Sequence, residues 1–368
     1  MLMKILQILT DTNVGGAGIW LLNFLKSYDR KSFQVKVVLP KGAILSEEVN
    51  KLGVEVIEAE KIADKSFSLS GIKVFKEIFS KEKPDVIHTH ACISARIAGR
   101  LCGVKIVNTR HCLEEKKSFP KKNIYRFINN FLSDKVIGVS KAVVENLIDD
   151  GIKKEKVHLV YNGINSLSQI SNEEKENLRK KYSVLPENII VGIVARLEEV
   201  KNHQLFLKSA RICLDKNPDL RFLIVGTGSM EDNLKETAKA LGIDDKVIFA
   251  GYIKDVNDIT NIIDIAVLTS QKEALSIALI EAMSLGKPCV STNSGGPCEV
   301  IEDSISGFIV ENYNENVLAD AILKLSYDTT MRTKFGEEGK KISFERFSIS
   351  KMADEINDIY TSLIGKGR

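Results

Sequence analysis

The feature that most constrains this chain is a regular alternation of short β-branched runs with helix-length segments, a pattern typical of parallel sheets with helical crossovers. A first series of seven predicted strands covers Lys4–Leu9, Val35–Leu39, Val54–Ile57, Asp85–Thr89, Val104–Asn108, Lys135–Val139 and Val157–Val160. A second series of six covers Ile189–Val194, Leu220–Val225, Lys246–Phe249, Asp264–Leu268, Lys287–Ser291 and Gly307–Val310. We therefore predict an α/β protein with two facing Rossmann-like, doubly wound parallel-sheet domains and a cleft between them.

A polar stretch separates the two series and sets the predicted domain boundaries. We expect an N-terminal domain over residues 1–165, a linker over 166–187 and a C-terminal domain over 188–345. A last helix within 346–368 is expected to pack back on the N-terminal domain. The length of 368 residues is enough for two domains, each with its own hydrophobic core.

Composition excludes several classes of protein. The net charge of +3 is too small to predict binding of nucleic acid. The six cysteines form no C-x-x-C pair, so neither a disulfide framework nor a zinc site built on cysteines is predicted. No apolar run approaches the ~18 residues of a membrane helix, and the first residues have the pattern of a strand. We therefore expect a cytoplasmic protein.

Candidate ligand-binding residues follow the predicted strands, because ligands of open α/β sheets bind beyond the carboxyl ends of the strands. Gly15 and Gly16 lie at a strand-to-helix turn where backbone amides can approach an anion, although a turn without a ligand is the alternative. The nicotinamide-cofactor fingerprint and the P-loop motif are both absent from the sequence. His88 and His90 share one face of a strand. We favour a structural role for His88, packed against a neighbouring helix, and a hydrogen bond from His90 into the cleft. A metal ion held by the two imidazoles is the less favoured alternative.

The second half of the sequence supplies cations and carboxylates after its strands. Arg196 ends a strand and Lys201 begins the next helix, so the two can close on one polyanion, with a purely surface role as the alternative. Glu273 precedes an apolar helix that contains Glu281, and both carboxylates can reach one elongated ligand. A buried carboxylate at Glu281 needs a partner, either ribose hydroxyls or a neighbouring helix or arginine.

Together, these motifs resemble those of the retaining glycosyltransferase family 4 (glycosyl transferases group 1), whose members have the GT-B fold. The resemblance covers nearly the whole chain and depends on the order and spacing of the motifs. The matching motifs are Gly15-Gly16, Asp85…His90, Gly138-Val139-Ser140-Lys141, Tyr161-Asn162-Gly163-Ile164, Ala195-Arg196-Leu197…Lys201-Asn202, Val225-Gly226-Thr227-Gly228, Glu273-x7-Glu281 and Ser294-Gly295-Gly296…Glu299.

The resemblance implies a role for each matching residue. Arg196 and Lys201 would hold the diphosphate of a nucleoside-diphosphate sugar, His90 would contact the donor sugar, and Glu273 would contact the sugar and phosphate. These four are the implied catalytic residues. The implied donor-binding residues are Gly15, Gly16, Gly226, Tyr252, Ile253, Ala274, Leu275, Ser276 and Glu281. Ala274 departs from the family, which commonly has glycine there, and alanine does not readily adopt a positive φ.

The reaction implied by the resemblance is transfer of a sugar from a UDP- or GDP-sugar to an acceptor hydroxyl, with retained anomeric configuration, in polysaccharide or glycolipid biosynthesis. The sequence contains no Asp-x-Asp motif, so we expect neither a metal nor any cofactor beyond the nucleotide sugar. Two alternatives stay open: a sugar-nucleotide epimerase or hydrolase on the same fold, and a non-catalytic protein that binds a sugar nucleotide.

A basic stretch interleaved with aromatic residues marks the predicted acceptor domain. Its cations are Lys116, Lys117, Lys121, Lys122 and Arg126. Such a stretch can lie on an anionic membrane surface that presents a lipid-linked acceptor, or it can be a solvated helix face, with a sugar as acceptor. The first alternative predicts a peripheral location at the inner face of the membrane.

Overall fold

The structure is a computed structural model that describes residues 2–12, 15–114, 119–311 and 313–364. The chain divides into two compact units, of which unit 1 comprises residues 1–163 and 348–368 and unit 2 comprises residues 164–347. Residues 166–187, which we expected to form a linker, thus belong to unit 2, and the C-terminal helix belongs to unit 1. Across the described ranges, every helix is too short or too polar to pass through a lipid bilayer.

Unit 1 is built on a seven-stranded parallel sheet. Its strands are β1 (Met3–Ile8), β2 (Phe33–Pro40), β3 (Glu55–Ala59), β4 (Val86–Thr89), β5 (Lys105–Arg110), β6 (Lys135–Gly138) and β7 (Val157–Leu159). Their order across the sheet is β3-β2-β1-β4-β5-β6-β7, so the winding reverses between β1 and β4. Such a reversal is a topological switch point, beyond which ligands of open α/β sheets bind.

Helices cover both faces of this sheet. They are α1 (Gly16–Ser27), α2 (Leu45–Lys51), α3 (Leu69–Glu82), α4 (Ile93–Leu101), α5 (Phe119–Leu132) and α6 (Lys141–Asp149), and α15 (Ile349–Ile364) joins them from the end of the chain. Alternation along β1 places Ile5 in a core with Trp20 and Tyr360, and Leu6 in a second core with Phe75.

Gly163 marks the place where the end of the chain re-enters unit 1. A Cβ atom at Gly163 would lie 2.7 Å from both the Ile349 Cα and the Ser348 carbonyl oxygen, so only glycine allows this approach. The Gly163 carbonyl accepts a hydrogen bond from Asn23 Nδ2 at 2.9 Å. These contacts hold the start of α15 against unit 1.

Unit 2 is built on a six-stranded parallel sheet. Its strands are β8 (Ile189–Val194), β9 (Leu220–Val225), β10 (Val247–Gly251), β11 (Ile265–Leu268), β12 (Cys289–Thr292) and β13 (Gly307–Val310). Their order is β10-β9-β8-β11-β12-β13, with the switch point between β8 and β11. Seven and six parallel strands confirm the predicted fold class, and each strand lies within two residues of its predicted position.

The helices of unit 2 include one from the segment that precedes its sheet. They are α7 (Asn172–Lys181), α8 (His203–Lys216), α9 (Glu231–Ala240), α10 (Asn257–Asn261), α11 (Ile277–Ser284), α12 (Pro297–Val300), α13 (Glu315–Tyr327) and α14 (Thr329–Arg346). The stretch before α7 is held in place because the Ser168 and Ile170 amides donate to Asn257 and Asn261 on α10. Ser171 and Glu174 then form a capping box that starts α7.

Candidate active site

In unit 2, the loops that follow β8 and β11 are bonded to each other at the switch point. The Thr269 hydroxyl donates to the Lys201 carbonyl at 2.9 Å, and the Gln271 amide donates to the Val200 carbonyl at 2.8 Å. The loop after β12 joins them, because the Thr292 hydroxyl donates to the Ser270 carbonyl at 2.7 Å. These bonds bring Lys201 beside the loop that carries Glu273, although 72 residues separate the two in sequence.

Lys201 and Glu273 form an ion pair in this loop cluster. The Lys201 ammonium donates to Glu273 Oε2, and the Ser270 hydroxyl donates to the same oxygen at 3.1 Å. The side chains are only 17% and 14% exposed, respectively. Each therefore neutralises a charge that would be costly to bury alone.

Arg196 lies at the carboxyl end of β8 with its side chain exposed. The Ala195 and Leu197 amides donate to the Val225 and Thr227 carbonyls at 3.0 Å, which ties this turn to the end of β9. Gly226 is required at the contact, because it has a φ of +138° and a Cβ there would lie 2.0 Å from the Ala195 carbonyl oxygen. The Arg196 guanidinium bonds to none of the described residues. Its charge is available to a ligand.

The segment that leads into α11 presents backbone amides. Within the described ranges, the amides of Ala274, Leu275 and Ser276 donate to no other group, while the Ser276 hydroxyl caps the helix by accepting from the Leu279 amide at 3.3 Å. The family resemblance implies that these three residues bind the donor. A helix N-terminus carries partial positive charge, and with these amides it can hold an anion.

A second glycine turn supports this segment. The Glu273 amide donates to the Ser294 carbonyl and the Gly296 amide donates to the Glu273 carbonyl, both at 2.9 Å. A Cβ at Gly296 would lie only 2.0 Å from the Ala274 carbonyl oxygen, so glycine is required there. Ala274 has no positive φ, so alanine fits this position without the strain that the sequence had suggested.

Glu281 lies on α11 and is partly buried. Burial, and then the negative charge of Asp255, raises the pKa of its carboxyl to about 7. In the part of the chain that the structure describes, neither the helix nor the arginine partner considered from the sequence is bonded to this carboxylate. It is therefore free to accept hydrogen bonds from a ligand.

Tyr252 and Ile253 follow the end of β10. The Gly226 amide donates to the Gly251 carbonyl at 2.8 Å, which brings this loop to the Gly226 turn. The Tyr252 ring is 73% exposed, whereas Ile253 is partly buried. An exposed aromatic ring can stack on a planar ligand group.

In unit 1, Gly15 and Gly16 form the start of α1, beyond the carboxyl end of β1. Gly15 has a φ of −102°, and a Cβ at either position would meet no atom of the described residues within 4 Å. Packing against the described residues therefore explains neither glycine. Both fit a turn whose backbone a ligand approaches.

His90 follows β4 and is buried with hydrogen bonds at both ring nitrogens. Its Nδ1 lies 2.7 Å from His111 Nε2, and its Nε2 lies 3.3 Å from Gln7 Oε1. Burial, together with the neighbouring His88 and His111, holds its pKa well below the ordinary value of 6.5. His90 is therefore a neutral hydrogen-bonding group.

Two other histidines surround His90. His88 is fully buried against Trp20, with ring centroids 5.3 Å apart, which is the packed position favoured from the sequence. His111 was missed, although it follows β5 directly and β5 is the neighbour of β4 in the sheet. Burial lowers its pKa to about 4. A search for polar residues directly after every strand would have found it.

The basic stretch lies partly outside the described residues. Lys116 and Lys117 fall there, as does the side chain of Lys121, whereas Lys122 and Arg126 lie on α5. The same helix exposes three large apolar side chains, Ile124 at 63%, Phe127 at 72% and Phe131 at 58%.

Within the described ranges, no group of three or more His, Cys, Asp or Glu side chains is arranged to hold a metal ion.

Comparison with known families agrees with these features. The sequence profile described as "Glycosyl transferases group 1" matches residues 174–342, and the one described as "Glycosyltransferase Family 4" matches residues 14–166. The two matches together cover most of both units.

Three known proteins illustrate what the chain is similar to. UDP-Gal:alpha-D-GlcNAc-diphosphoundecaprenol alpha-1,3-galactosyltransferase of Escherichia coli is 27% identical, with 81% of this chain and 82% of the relative covered. N-acetyl-alpha-D-glucosaminyl L-malate synthase of Bacillus anthracis is 28% identical, with 78% and 77% covered. The crystal structure of HepE of Anabaena in complex with UDP and glucose superposes with a TM-score of 0.85 at 23% identity, with 97% and 99% covered. The chain therefore belongs to the group 1, family 4 glycosyltransferases and has the GT-B fold.

Proposed function

We propose that this protein transfers a sugar from a uridine diphosphate sugar to an acceptor hydroxyl, with retained anomeric configuration and without a metal ion. The observation that carries the proposal is the anion site at the switch point of unit 2. There, three amides precede α11 beside the Lys201–Glu273 pair, and the Arg196 guanidinium follows β8; neither the amides nor the guanidinium has a partner among the described residues.

This set of groups suits a diphosphate leaving group. Arg196 supplies positive charge, Lys201 can donate a further hydrogen bond while paired with Glu273, and the amides of Ala274 to Ser276 supply hydrogen bonds that need no rearrangement when charge develops. Each such contact can lower the barrier by about 3 kcal/mol. In the same proposal, Glu281 accepts hydrogen bonds from the ribose and Tyr252 and Ile253 line the base.

For a retaining transfer, the state of Glu273 favours attack by the acceptor on the same face over a covalent intermediate on this carboxylate. Its Oε2 already accepts from Lys201 and Ser270, an arrangement that orients the carboxylate and disfavours attack on the sugar. In the proposed step, the bond between the anomeric carbon and the departing phosphate oxygen breaks as the acceptor oxygen bonds to the same face. The acceptor proton passes to the departing diphosphate, so the residues need no second carboxylate as base.

For unit 1, the proposal keeps Gly15 and Gly16 as donor-binding residues, with Gly16 near the phosphate, keeps His90 as a contact of the donor sugar, and adds His111. No described side chain crowds the two glycines, which supports close approach of a ligand to the backbone. His111 Nδ1 bonds to none of the described residues, whereas His90 would have to exchange its bond to Gln7 or His111 for one to a sugar hydroxyl. Both imidazoles are neutral near pH 7, so such bonds would contribute no charge. His90→Ala should then lower kcat with little effect on the affinity for UDP alone.

Two relatives support the choice of substrates. HepE was crystallised with UDP-glucose, which supports uridine over guanosine as the base. The Escherichia coli relative carries an undecaprenol diphosphate acceptor in its name, which supports a lipid-linked acceptor for polysaccharide or glycolipid synthesis.

The first test is a panel of UDP-, GDP- and ADP-sugars scored by thermal shift with and without EDTA. We expect UDP-sugars alone to raise the melting temperature, and EDTA to change nothing. NMR of the donor, with and without a diphosphate-linked lipid saccharide, then identifies the reaction and the anomeric configuration of its product. Consumption of the donor in the absence of acceptor would favour the epimerase or hydrolase. Binding of the sugar nucleotide without any turnover would favour the non-catalytic protein.

We further propose that α5 rests on an anionic membrane surface when the lipid-linked acceptor is used. Ile124, Phe127 and Phe131 recur at helical spacing and are exposed, and Arg126, Lys153 and Lys156 line the same surface groove as the two phenylalanines. Such a combination inserts apolar groups between acidic headgroups.

Flotation with vesicles of phosphatidylglycerol, and with phosphatidylcholine alone, tests this surface. We expect binding to the anionic vesicles only, and its loss in the double variant Phe127→Ser/Phe131→Ser. Phe344→Ser is the control, because Phe344 is 71% exposed but lies on α14 of unit 2. Absence of binding to anionic vesicles by the unaltered protein would refute this part of the proposal.

A further inference from the structure

Lys201 is held at two points by one short loop, residues 269–273, which follows β11. Its carbonyl oxygen accepts a hydrogen bond from the Thr269 hydroxyl at 2.9 Å, and its ammonium donates to Glu273 Oε2. The Ser270 hydroxyl donates to the same Glu273 oxygen at 3.1 Å. The backbone and the charged end of Lys201 are therefore both fixed to the same loop.

The Lys201 carbonyl is left for Thr269 because α8 does not use it. Lys201 ends a short 3₁₀ turn, and Asn202, which follows, has a φ of +49° in the left-handed region. The Leu205 amide of α8 then donates to the Asn202 carbonyl at 3.1 Å. Among the described residues, only the Thr269 hydroxyl donates to the Lys201 carbonyl.

The hydroxyl of Thr269 is explained by this bond and not by packing. The side chain is fully buried, and a valine of nearly the same shape would fill its place. A buried hydroxyl is costly unless it is hydrogen-bonded. A second link to this turn, from the Gln271 amide to the Val200 carbonyl at 2.8 Å, is made by backbone atoms and does not depend on a side chain. Within the described ranges, Thr269 is thus the side chain that holds the backbone of Lys201.

These two fixed points make Lys201 a cation that is positioned in advance. A lysine side chain has many conformations in water, and ordering it for a ligand costs binding free energy. Here the fold provides that ordering. An ammonium has three hydrogens, and Glu273 is its only partner among the described residues, so hydrogens are left for a ligand. Arg196 differs, because its exposed guanidinium is bonded to none of these residues.

We propose that Thr269 is a positioning residue, whose hydroxyl fixes the Lys201 backbone so that the ammonium lies beside the amides that precede α11 before any ligand binds. The inference rests on the proposed function, in which Lys201 contacts the diphosphate of the donor. In Thr269→Val, the Lys201 carbonyl loses this partner while the ion pair with Glu273 is kept. A diphosphate must then order the turn that carries Lys201, which lowers its affinity.

Hydrogen exchange of the protein without ligand tests the hold on this turn. The Lys201 and Asn202 amides are bonded within the turn, both at 3.0 Å, so their exchange reports its opening. In peptides that contain residues 198–204, we expect exchange to be about tenfold faster at these amides in Thr269→Val. Thr269→Ser, which keeps the hydroxyl, should retain the unaltered rate. Thr269→Ala replaces the valine variant if that variant does not fold.

Calorimetric binding of UDP tests the consequence for the site. We expect the affinity for UDP to fall about tenfold in Thr269→Val, which corresponds to about 1.4 kcal/mol, and Thr269→Ser to restore it to within about twofold. The matched control is Ser209→Ala. Ser209 is equally buried, and its hydroxyl donates to the Leu205 and Glu315 carbonyls, on α8 and α13, at 2.9 and 3.1 Å. Its loss should leave the affinity for UDP unchanged.

Combined variants separate positioning of Lys201 from a merely structural role. If Thr269 acts through Lys201, adding Thr269→Val to Lys201→Met/Glu273→Gln should change the affinity for UDP by less than about twofold, because the cation is already absent. If the substitution instead disturbs the site in general, it should weaken UDP binding by the same factor in both backgrounds.

Unchanged exchange at residues 198–204 in folded Thr269→Val would overturn the inference, as would faster exchange with unchanged affinity for UDP, or an equal loss of affinity in both backgrounds. If the unaltered protein binds neither UDP nor any UDP-sugar, the proposed function fails. The exchange rates then decide the hold of Thr269 on Lys201 by themselves, because they are measured without a ligand.

Discussion

Replacing Glu281 by glutamine should stabilise the folded protein above neutral pH while weakening donor binding. The Glu281 carboxyl is partly buried, and burial with the charge of Asp255 raises its pKa from 4.5 to about 7. Because of that difference, the ionised Glu281 carboxylate lowers the free energy of unfolding at high pH by at most about 3 kcal/mol, compared with an uncharged side chain at the same position. Glutamine has nearly the shape of the protonated acid and carries no charge to desolvate.

The sign of the pH dependence follows from the two pKa values. Below about pH 4, the carboxyl is protonated in both the folded and the unfolded state, so glutamine gains nothing there. Between pH 4.5 and 7 the unfolded state releases the proton first, so stability of the unaltered protein falls as pH rises. The advantage of Glu281→Gln therefore grows through this window and reaches its full size, about 3 kcal/mol, near pH 8.

The assay is urea unfolding at pH 4.5, 6 and 8, compared with UDP binding by calorimetry. Glu236→Gln is the control, because Glu236 is exposed on α9 of the same unit. We expect a gain that grows with pH for Glu281→Gln, none for the control, and weaker UDP binding only in Glu281→Gln. A gain that is equal at all three pH values, or absent at pH 8, would refute the reasoning, because it would show that no desolvated carboxylate is present.

Variants at Lys201, Arg196 and Gly296 test the loop cluster of unit 2. Lys201→Met should destabilise the protein by about 3 to 5 kcal/mol in chemical unfolding, because Glu273 would lose its buried partner, and Lys201→Met/Glu273→Gln should recover much of the loss. Arg196→Ala should change stability by less than about 0.5 kcal/mol but lower kcat/KM for the donor by about 10² to 10³, and unchanged kinetics would contradict its contact with the diphosphate. Gly296→Ala should weaken UDP binding in calorimetry, because its Cβ would displace the Ala274 carbonyl, which lies 2.0 Å away.

Local patterns were sufficient for much of the fold and for the polar groups at the strand ends. The thirteen strands could be predicted because a strand buried by helices on both faces is a short β-branched run bounded by turn residues. The sequence also predicted that Glu273 precedes α11 and that Glu281 lies within it, because the start of a helix is marked by residues close to it in sequence.

Contacts between distant parts of the sequence could not be predicted in this way. The bond that Lys201 makes to Glu273 spans 72 residues, and the one between Gln7 and Tyr360 spans 353. His111 was missed for the same reason, because its significance lies in the 2.7 Å contact with His90 from a neighbouring strand.

By itself, the sequence determined where the strands lie to within two residues and which polar residues follow them, because periodicity and turn chemistry act within a few residues. Only the tertiary structure decided which of these residues are bonded to each other and which are left for a ligand. Lys201 is neutralised by Glu273, whereas Arg196, the three amides before α11 and the Glu281 carboxylate have no partner among the described residues. Burial and pairing of charges depend on which strands are neighbours in the sheet, and that spatial order exists only in the folded protein.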